Sequence, residues 1–169
     1  DADTFADPWL HGLCDWSGFA VKELPADWPP GTRLGFTVRV CPVVRMPRGC
    51  KSHRPGAEID AFLARCTAVG EGVQVDRQEV YREWFAAQVE RLGGARLLEA
   101  RVDAFQLERL SRRTHGAERQ TRVKWRPEAM ISGELEVTDS IAFDALLRRG
   151  IGRHRAFGFG MLLLRRPAQ

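Results

Sequence analysis

Residues 150–160 read Gly-Ile-Gly-Arg-His-Arg-Ala-Phe-Gly-Phe-Gly, so four glycines frame Arg153, His154 and Arg155. The chemistry on offer is anion binding. Guanidinium forks grip phosphate oxygens in pairs, and backbone N–H groups in glycine turns add to them. Gly150, Gly152, Gly158 and Gly160 allow backbone angles and close approaches that a β-carbon forbids. No Gly-Lys-Ser/Thr ending follows, and residues 161–164 run straight into an apolar strand, which excludes a nucleotide P-loop. A histidine with a pKa near neutrality can shuttle a proton, so His154 here and His115 in a second basic stretch could each contact phosphate or take that role. The plain alternative is a tight helix-to-strand turn with spare arginines.

Charge placement weighs against that alternative. Residues 107–126 carry Arg109, Arg112, Arg113, Arg119, Arg122, Lys124 and Arg126, and residues 145–169 carry six arginines and no acid. The two windows hold 13 of the 26 cations and 2 of the 22 acids, a net of +11 that leaves −7 for the remainder. A net charge of +4 therefore hides a polarised molecule. Localised cations with an arginine bias are the electrostatic footprint of a polyanionic partner, because arginine offers a planar fork to phosphate and stacks on bases.

Other chemistries fare less well. Cys14, Cys41, Cys50 and Cys66 make no Cys-x-x-Cys pair and are read as reduced, cytosolic thiols. His11-x-x-Cys14 and Cys50-x-x-His53 add up to two cysteines and two histidines, but in an order foreign to zinc modules, so no metal and no cofactor is expected. No apolar run nears the roughly 20 residues that span a bilayer, so no membrane partner is expected either.

These groups need elements to hold them. Alternation of Leu34, Phe36, Val38 and Val40 predicts a strand over residues 32–44. A basic loop spans 45–55, and a short helix over 58–66 puts Ile59, Phe62 and Leu63 on one face. Asp76 and Glu79 form a capping box for a helix with Val80, Trp84, Ala87 and Leu92 at helical spacing, ended by Gly93 and Gly94. Tyr81 falls on the exposed side of that helix. A strand over 95–107, a polar turn over 111–120, a strand over 121–125 and another over 130–137 follow. Asp139 caps a helix through Ile141, Phe143, Leu146 and Leu147, and the last strand runs over 157–165. This order is an α+β, ferredoxin-like (RRM-like) βαββαβ domain over residues 31–169, with an inserted helix and a basic hairpin. Residues 1–30, with Trp9, Trp16 and Trp28 and a short strand near 18–21, are expected to be the tail and linker of a preceding unit. The chain opens on Asp1, and an upstream segment is expected. The aromatic residues fall at positions expected to be core, so RNA reading by shape and phosphate contact is favoured over base stacking on the sheet.

The run over 150–164, preceded by Ser-Gly-Glu-Leu-Glu-Val-Thr-Asp-Ser-Ile-Ala-Phe-Asp-Ala-Leu-Leu-Arg-Arg at 132–149, resembles the C-terminal motif of the CRISPR repeat-processing endoribonucleases, most closely the CasE type of type I-E Cascade. Residues 32–165 resemble that family's C-terminal ferredoxin-like domain, and the basic segment 109–126 resembles its hairpin and groove elements.

The resemblance implies two ferredoxin-like domains in tandem, this one being the second. It implies binding of the repeat's stem-loop and metal-independent cleavage at the stem's 3′ base, by attack of the adjacent 2′-hydroxyl. The protein would then stay on the guide's 3′ hairpin and dock with other Cascade subunits. The family's catalytic histidine lies in the N-terminal domain, which this chain is expected largely to lack, so the resemblance assigns no catalytic residue here. The RNA-binding set it implies comprises Arg109, Arg112, Arg113, His115, Arg119, Arg122, Lys124, Arg126, Gly150, Gly152, Arg153, His154, Arg155, Gly158 and Gly160. The competing expectation is a non-catalytic RNA-hairpin-binding cap of a ribonucleoprotein.

Overall fold

Strand β1 (Arg33–Val40) lies between two partners because its alternation gives it one fully apolar face: Phe36, Val38 and Val40 are buried, with Thr37 and Arg39 turned the other way. The structure, a computed structural model, describes residues 25, 27–46, 48, 54–113 and 121–167, with the backbone alone of Arg113 and Arg122. The expected strand near 18–21, the His11, Cys14, Cys50 and His53 set, and the candidates His115 and Arg119 lie outside the described residues. So does most of the expected tail over 1–30.

After β1 come β2 (Val43–Arg45), β3 (Glu58–Asp60), α1 (Ala61–Val69) and α2 (Arg77–Leu92). Then follow β4 (Ala95–Arg113), β5 (Thr121–Val137), α3 (Ser140–Arg149), a single 3₁₀ turn (Arg155–Phe157) and β6 (Leu162–Arg165). The main sheet is antiparallel in the order β4-β5-β1-β6, with β2 and β3 forming a separate ribbon. Reading β1, β4, β5 and β6 as the four sheet strands, with α2 and α3 as the crossovers, gives the ferredoxin-like βαββαβ order.

The core lies between the helices and one sheet face. Phe36 stacks on Phe85 of α2, ring centroids 5.4 Å apart, and Trp28 meets Phe143 of α3 edge to face at 5.6 Å. Each such buried side chain contributes about 1.5–3 kcal/mol by leaving water. Trp28, within the expected tail, is thus a core residue of this domain.

The helix caps match expectation in part. Asp76 Oδ1 accepts from Gln78 N at 2.9 Å, and Asp139 Oδ1 from Ala142 N at 2.7 Å. Glu79 does not return to the cap; it pairs with Arg82 on the next turn. Gly93 and Gly150 end α2 and α3, donating to Val89 O and Leu146 O.

Several local expectations yield to tertiary context. The strand over 32–44 breaks at Cys41 and Pro42, where the chain leaves the sheet and pairs with β3. Ile59 therefore sits in a strand, and α1 leaves Leu63 exposed. On α2 the buried side comprises Val80, Tyr81, Trp84, Phe85 and Val89, while Ala87 is exposed. Tyr81 is fully buried, contrary to the expected exposed position, because its hydroxyl meets Asp60. Ile141, at 85% exposure, projects from the first turn of α3, away from Phe143 and Leu146. Residues 121–137 form one strand straight through Pro127. Pairing with β1 stops at Ala129, so Pro127 sits where β5 is an edge strand and its missing N–H costs the ladder nothing. The last strand begins at Leu162 rather than 157, because Phe157 closes the 3₁₀ turn and Gly158 and Gly160 hold positive φ values outside the strand region.

Candidate nucleic-acid interface

The glycine run is a pinched loop rather than a loose one. Ile151 N donates to Gly160 O at 2.8 Å, and Ile151 and Phe159 are buried, so both ends of the loop are anchored. A β-carbon on Gly160 would lie 2.2 Å from Ile151 O, and one on Gly150 would lie 2.9 Å from Gly160 O. Glycine is demanded there by backbone touching backbone. The loop's apex carries Arg153, His154 and Arg155. His154 holds φ 62°, the one positive value among the described non-glycine residues.

Around this apex opens a groove of about 1280 Å³. The loop supplies Gly150, Gly152, Arg153, His154 and Arg155 to it, and the β4–β5 ribbon supplies Leu110, Arg112, Lys124 and Arg126. Arg45 of β2, Arg91 of α2 and Arg149 of α3 complete the cationic lining, and Glu58 is the one acid among the described lining residues. Two segments with no proximity in sequence thus meet across one space. Arg45, Arg91 and Arg149 were not among the expected site residues. Arg91 is one of three arginines on α2 and Arg149 one of two on α3, and only the packing of those helices turns them toward the loop.

Other expected residues fall elsewhere. In register, Leu110 pairs with Lys124 and Glu108 with Arg126, while Arg109 pairs with Trp125 and Ser111 with Val123. Paired residues share a face and neighbours along a strand alternate, so Arg109 lies on the reverse of the ribbon from Lys124 and Arg126. Trp125, expected in the core, is 62% exposed on that reverse face, because β4 and β5 run on past the helices, while Phe105, at 42%, lies against Tyr81 and Arg77 of α2 at the edge of the core. Gly158 and Gly160 shape the loop without lining the groove, and Gly158 earns its place by a φ of 81°. Arg113 and Arg122 pair with Thr121 and Arg112 at the ribbon's described end.

Glu58 is the electrostatic node. Its Oε1 accepts from Arg153 Nε at 2.5 Å; its Oε2 lies 2.9 Å from His154 Nε2 and 3.4 Å from Arg126 Nη2. Burial pushes the Glu58 carboxyl up, but the charges and hydrogen bonds of His154 and Arg153 outweigh that and hold it below its ordinary value. Arg39 supports the loop from beneath: it pairs with Glu128, donates to Phe157 O at 3.3 Å and lies over the Phe159 ring. Its hydrogen bond to Glu128 raises its own pKa. Cys41, close by, is buried, and burial pushes its thiol up to about 12, so it is an inert core group. Among the described residues no group of three or more His, Cys, Asp or Glu side chains could hold a metal, and no helix is long and apolar enough to cross a membrane.

Such a site can hold a phosphate backbone over several residues, since guanidinium forks and an imidazole face one open space. The Gly150, Gly158 and Gly160 N–H groups do not add to them as the sequence suggested, because they donate to the Leu146, Arg155 and Arg39 carbonyls. Comparison with known proteins places this arrangement in context. No curated protein matches the chain by sequence. Among solved structures, the chain is similar to CRISPR endoribonuclease Cse3 bound to a 19-nucleotide RNA, at 24% identity and a TM-score of 0.61, over 89% of this chain and 68% of that one. It is similar to Thermus thermophilus Cse3 bound to an RNA representing a pre-cleavage complex, at 24% identity and a TM-score of 0.56, over 87% of this chain and 60% of that one. A chain of a CRISPR RNA-guided surveillance complex aligns at 18% identity with a TM-score of 0.55, over 87% of this chain and 61% of that one. The chain therefore spans roughly three-fifths to two-thirds of these relatives, and at such identities the likeness is one of fold. Residues 4–166 match the model of the family described as CRISPR associated protein. Matched over nearly its whole length, the chain belongs to that family.

Proposed function

We propose that this protein binds the stem-loop of a CRISPR repeat RNA in the groove between the glycine loop and the β4–β5 ribbon, and acts as an endoribonuclease on the precursor transcript. The observation that carries the reading is the convergence of Arg112, Lys124 and Arg126 with Arg153, His154 and Arg155 across one open groove. Membership of the CRISPR-associated family and a fold shared with RNA-bound Cse3 support it. The cations lie at the end of the sheet and on the ribbon, which suits a hairpin read by shape and phosphate contact.

The cut is at the 3′ base of the stem and needs no metal. A 2′-hydroxyl, its proton taken by a general base, attacks the adjacent phosphorus; the 5′-oxygen leaves with a proton from a general acid, giving a cyclic phosphate. His154 binds phosphate in this scheme, and the proton-transfer groups lie outside the groove described above. The domain over residues 31–169 acts as the second of a tandem pair. After cleavage the protein stays on the 3′ hairpin of the guide, beside other subunits of a Cascade-type complex in the cytoplasm.

Incubating the full-length protein with its own repeat hairpin in EDTA tests this. A single cut at the stem base leaving a cyclic phosphate is expected. Tight binding without a cut would convert the protein into a non-catalytic cap on the guide's handle, and absence of binding would overturn both versions.

A further inference from the structure

Two guanidinium groups and an imidazole, from two separate parts of the chain, converge on the two oxygens of one carboxylate. Arg153 and His154 come from the loop apex and Arg126 from β5, and all three point at Glu58 on β3. That is the geometry of an anion receptor, and a carboxylate is a two-oxygen stand-in for a phosphate. The fit is incomplete. Arg126 reaches Glu58 only at 3.4 Å, and its Nε is buried without a hydrogen-bond partner among the described residues. The receptor thus holds more donor capacity than one carboxylate satisfies.

It also opens outward. The Glu58 side chain is 13% exposed, whereas Arg153 is 45% exposed on the groove side. His154 holds a left-handed backbone that non-glycine residues rarely adopt, at the point where its ring meets Glu58. An empty receptor would leave the Arg126 and Arg153 guanidinium groups and the His154 ring converging with no counter-charge. Glu58 supplies that charge, and an incoming anion would exchange bonds rather than create them.

We propose that Arg126, Arg153 and His154 form a single-phosphate subsite for the repeat RNA, occupied in the free protein by the Glu58 carboxylate, which a backbone phosphate displaces. The inference rests on the repeat-RNA reading above and adds a competing internal anion to it. Glu58 lowers affinity for any single phosphate. Only a ligand that also engages the distant cations, such as Arg112 and Lys124, gains enough to displace it. The subsite thereby favours a shaped polyanion over free nucleotides.

The test compares the full-length protein with Glu58→Gln, using Glu71→Gln, an exposed loop acid away from the groove, to control for net charge. Affinity for the repeat hairpin is measured by fluorescence anisotropy. Glu58→Gln should bind at least about fivefold more tightly than both others. Equal or weaker binding would mean that Glu58 stays bonded in the complex and would overturn the inference, while leaving the repeat-RNA reading standing. Should Glu58→Gln fail to fold, the Glu58 carboxyl ¹³C resonance of the unaltered protein replaces it. Saturating RNA should shift that resonance and return its titration toward the ordinary carboxylate range, and an unmoved resonance would sink the displacement. If no variant binds the hairpin, both readings fall together.

Discussion

At Gly160 the loop leaves no room for a side chain, since even a methyl carbon would meet the Ile151 carbonyl at 2.2 Å and the φ of 86° strains any L-residue. Gly160→Ala should therefore cost about 2 kcal/mol or more in urea unfolding, from the left-handed strain and the forced backbone shift. Gly152→Val acts differently: its β-carbon would lie 3.0 Å from the Trp84 ring, so the loop should lift from α2 and RNA affinity fall more than for any single arginine change. Glu58 has a pH signature. Its folded carboxyl titrates below its unfolded value, so its contribution to stability is full above the ordinary carboxylate pKa of about 4.3 and is lost as pH falls through the lower folded value. The stability gap between the natural protein and Glu58→Gln, measured by urea unfolding across a pH series, should close as pH falls through that acid window. A gap that instead widened through the same window would contradict the assigned ion pairs.

Among the elements, the β4–β5 ribbon divides what its sequence presents as one basic block. Strand alternation sends Lys124 and Arg126 to the groove side and Arg109 to the reverse, beside the exposed Trp125. Replacing Arg112 and Lys124 together by glutamine should flatten the salt dependence of RNA binding by about one unit of log–log slope per lost phosphate contact. Arg109→Gln should leave that slope unchanged. Anisotropy titrations across a salt series distinguish the two, and an equal loss for Arg109→Gln would place RNA on the other face. Arg39 shows how the core reaches the site: a β1 residue holds the loop through Glu128, Phe157 and Phe159.

Across the whole molecule, stability and recognition lie in different places. The Arg77 guanidinium sits between the Phe62 and Phe105 rings and donates to Asp60 Oδ2 and the Tyr81 hydroxyl, and Asp60 caps α1. Burial, with the Asp60 charge beside it, pushes the Tyr81 hydroxyl up, so it stays neutral and acts as a tie between β3, α1, α2 and β4. Tyr81→Phe strands buried partners and should lower unfolding stability by about 1–3 kcal/mol. RNA affinity of the folded variant should not change, because this cluster lies outside the groove.

Much of this was legible in the sequence because it is local. Alternation over Leu34, Phe36, Val38 and Val40 specifies a half-buried strand wherever it occurs. Asp76 and Asp139 cap helices by reaching two or three residues ahead, and glycine tolerance of positive φ is a property of one residue. The glycine loop, the polarised cations and the βαββαβ order follow from such signals, and with them the expectation of a phosphate-bearing partner. The exceptions share one cause. Tyr81 is buried by a partner 21 residues away, Trp125 is exposed because two strands outrun the helices, and Arg91 and Arg149 become groove residues only once α2 and α3 are packed. Glu58 is the extreme case: an unremarkable acid in sequence, it meets His154 across 96 residues. Sequence by itself determined which groups could bind an anion and which elements would carry them. Only the tertiary structure decided which of those groups face one another, since contact across the chain depends on the packing of the whole sheet and its helices.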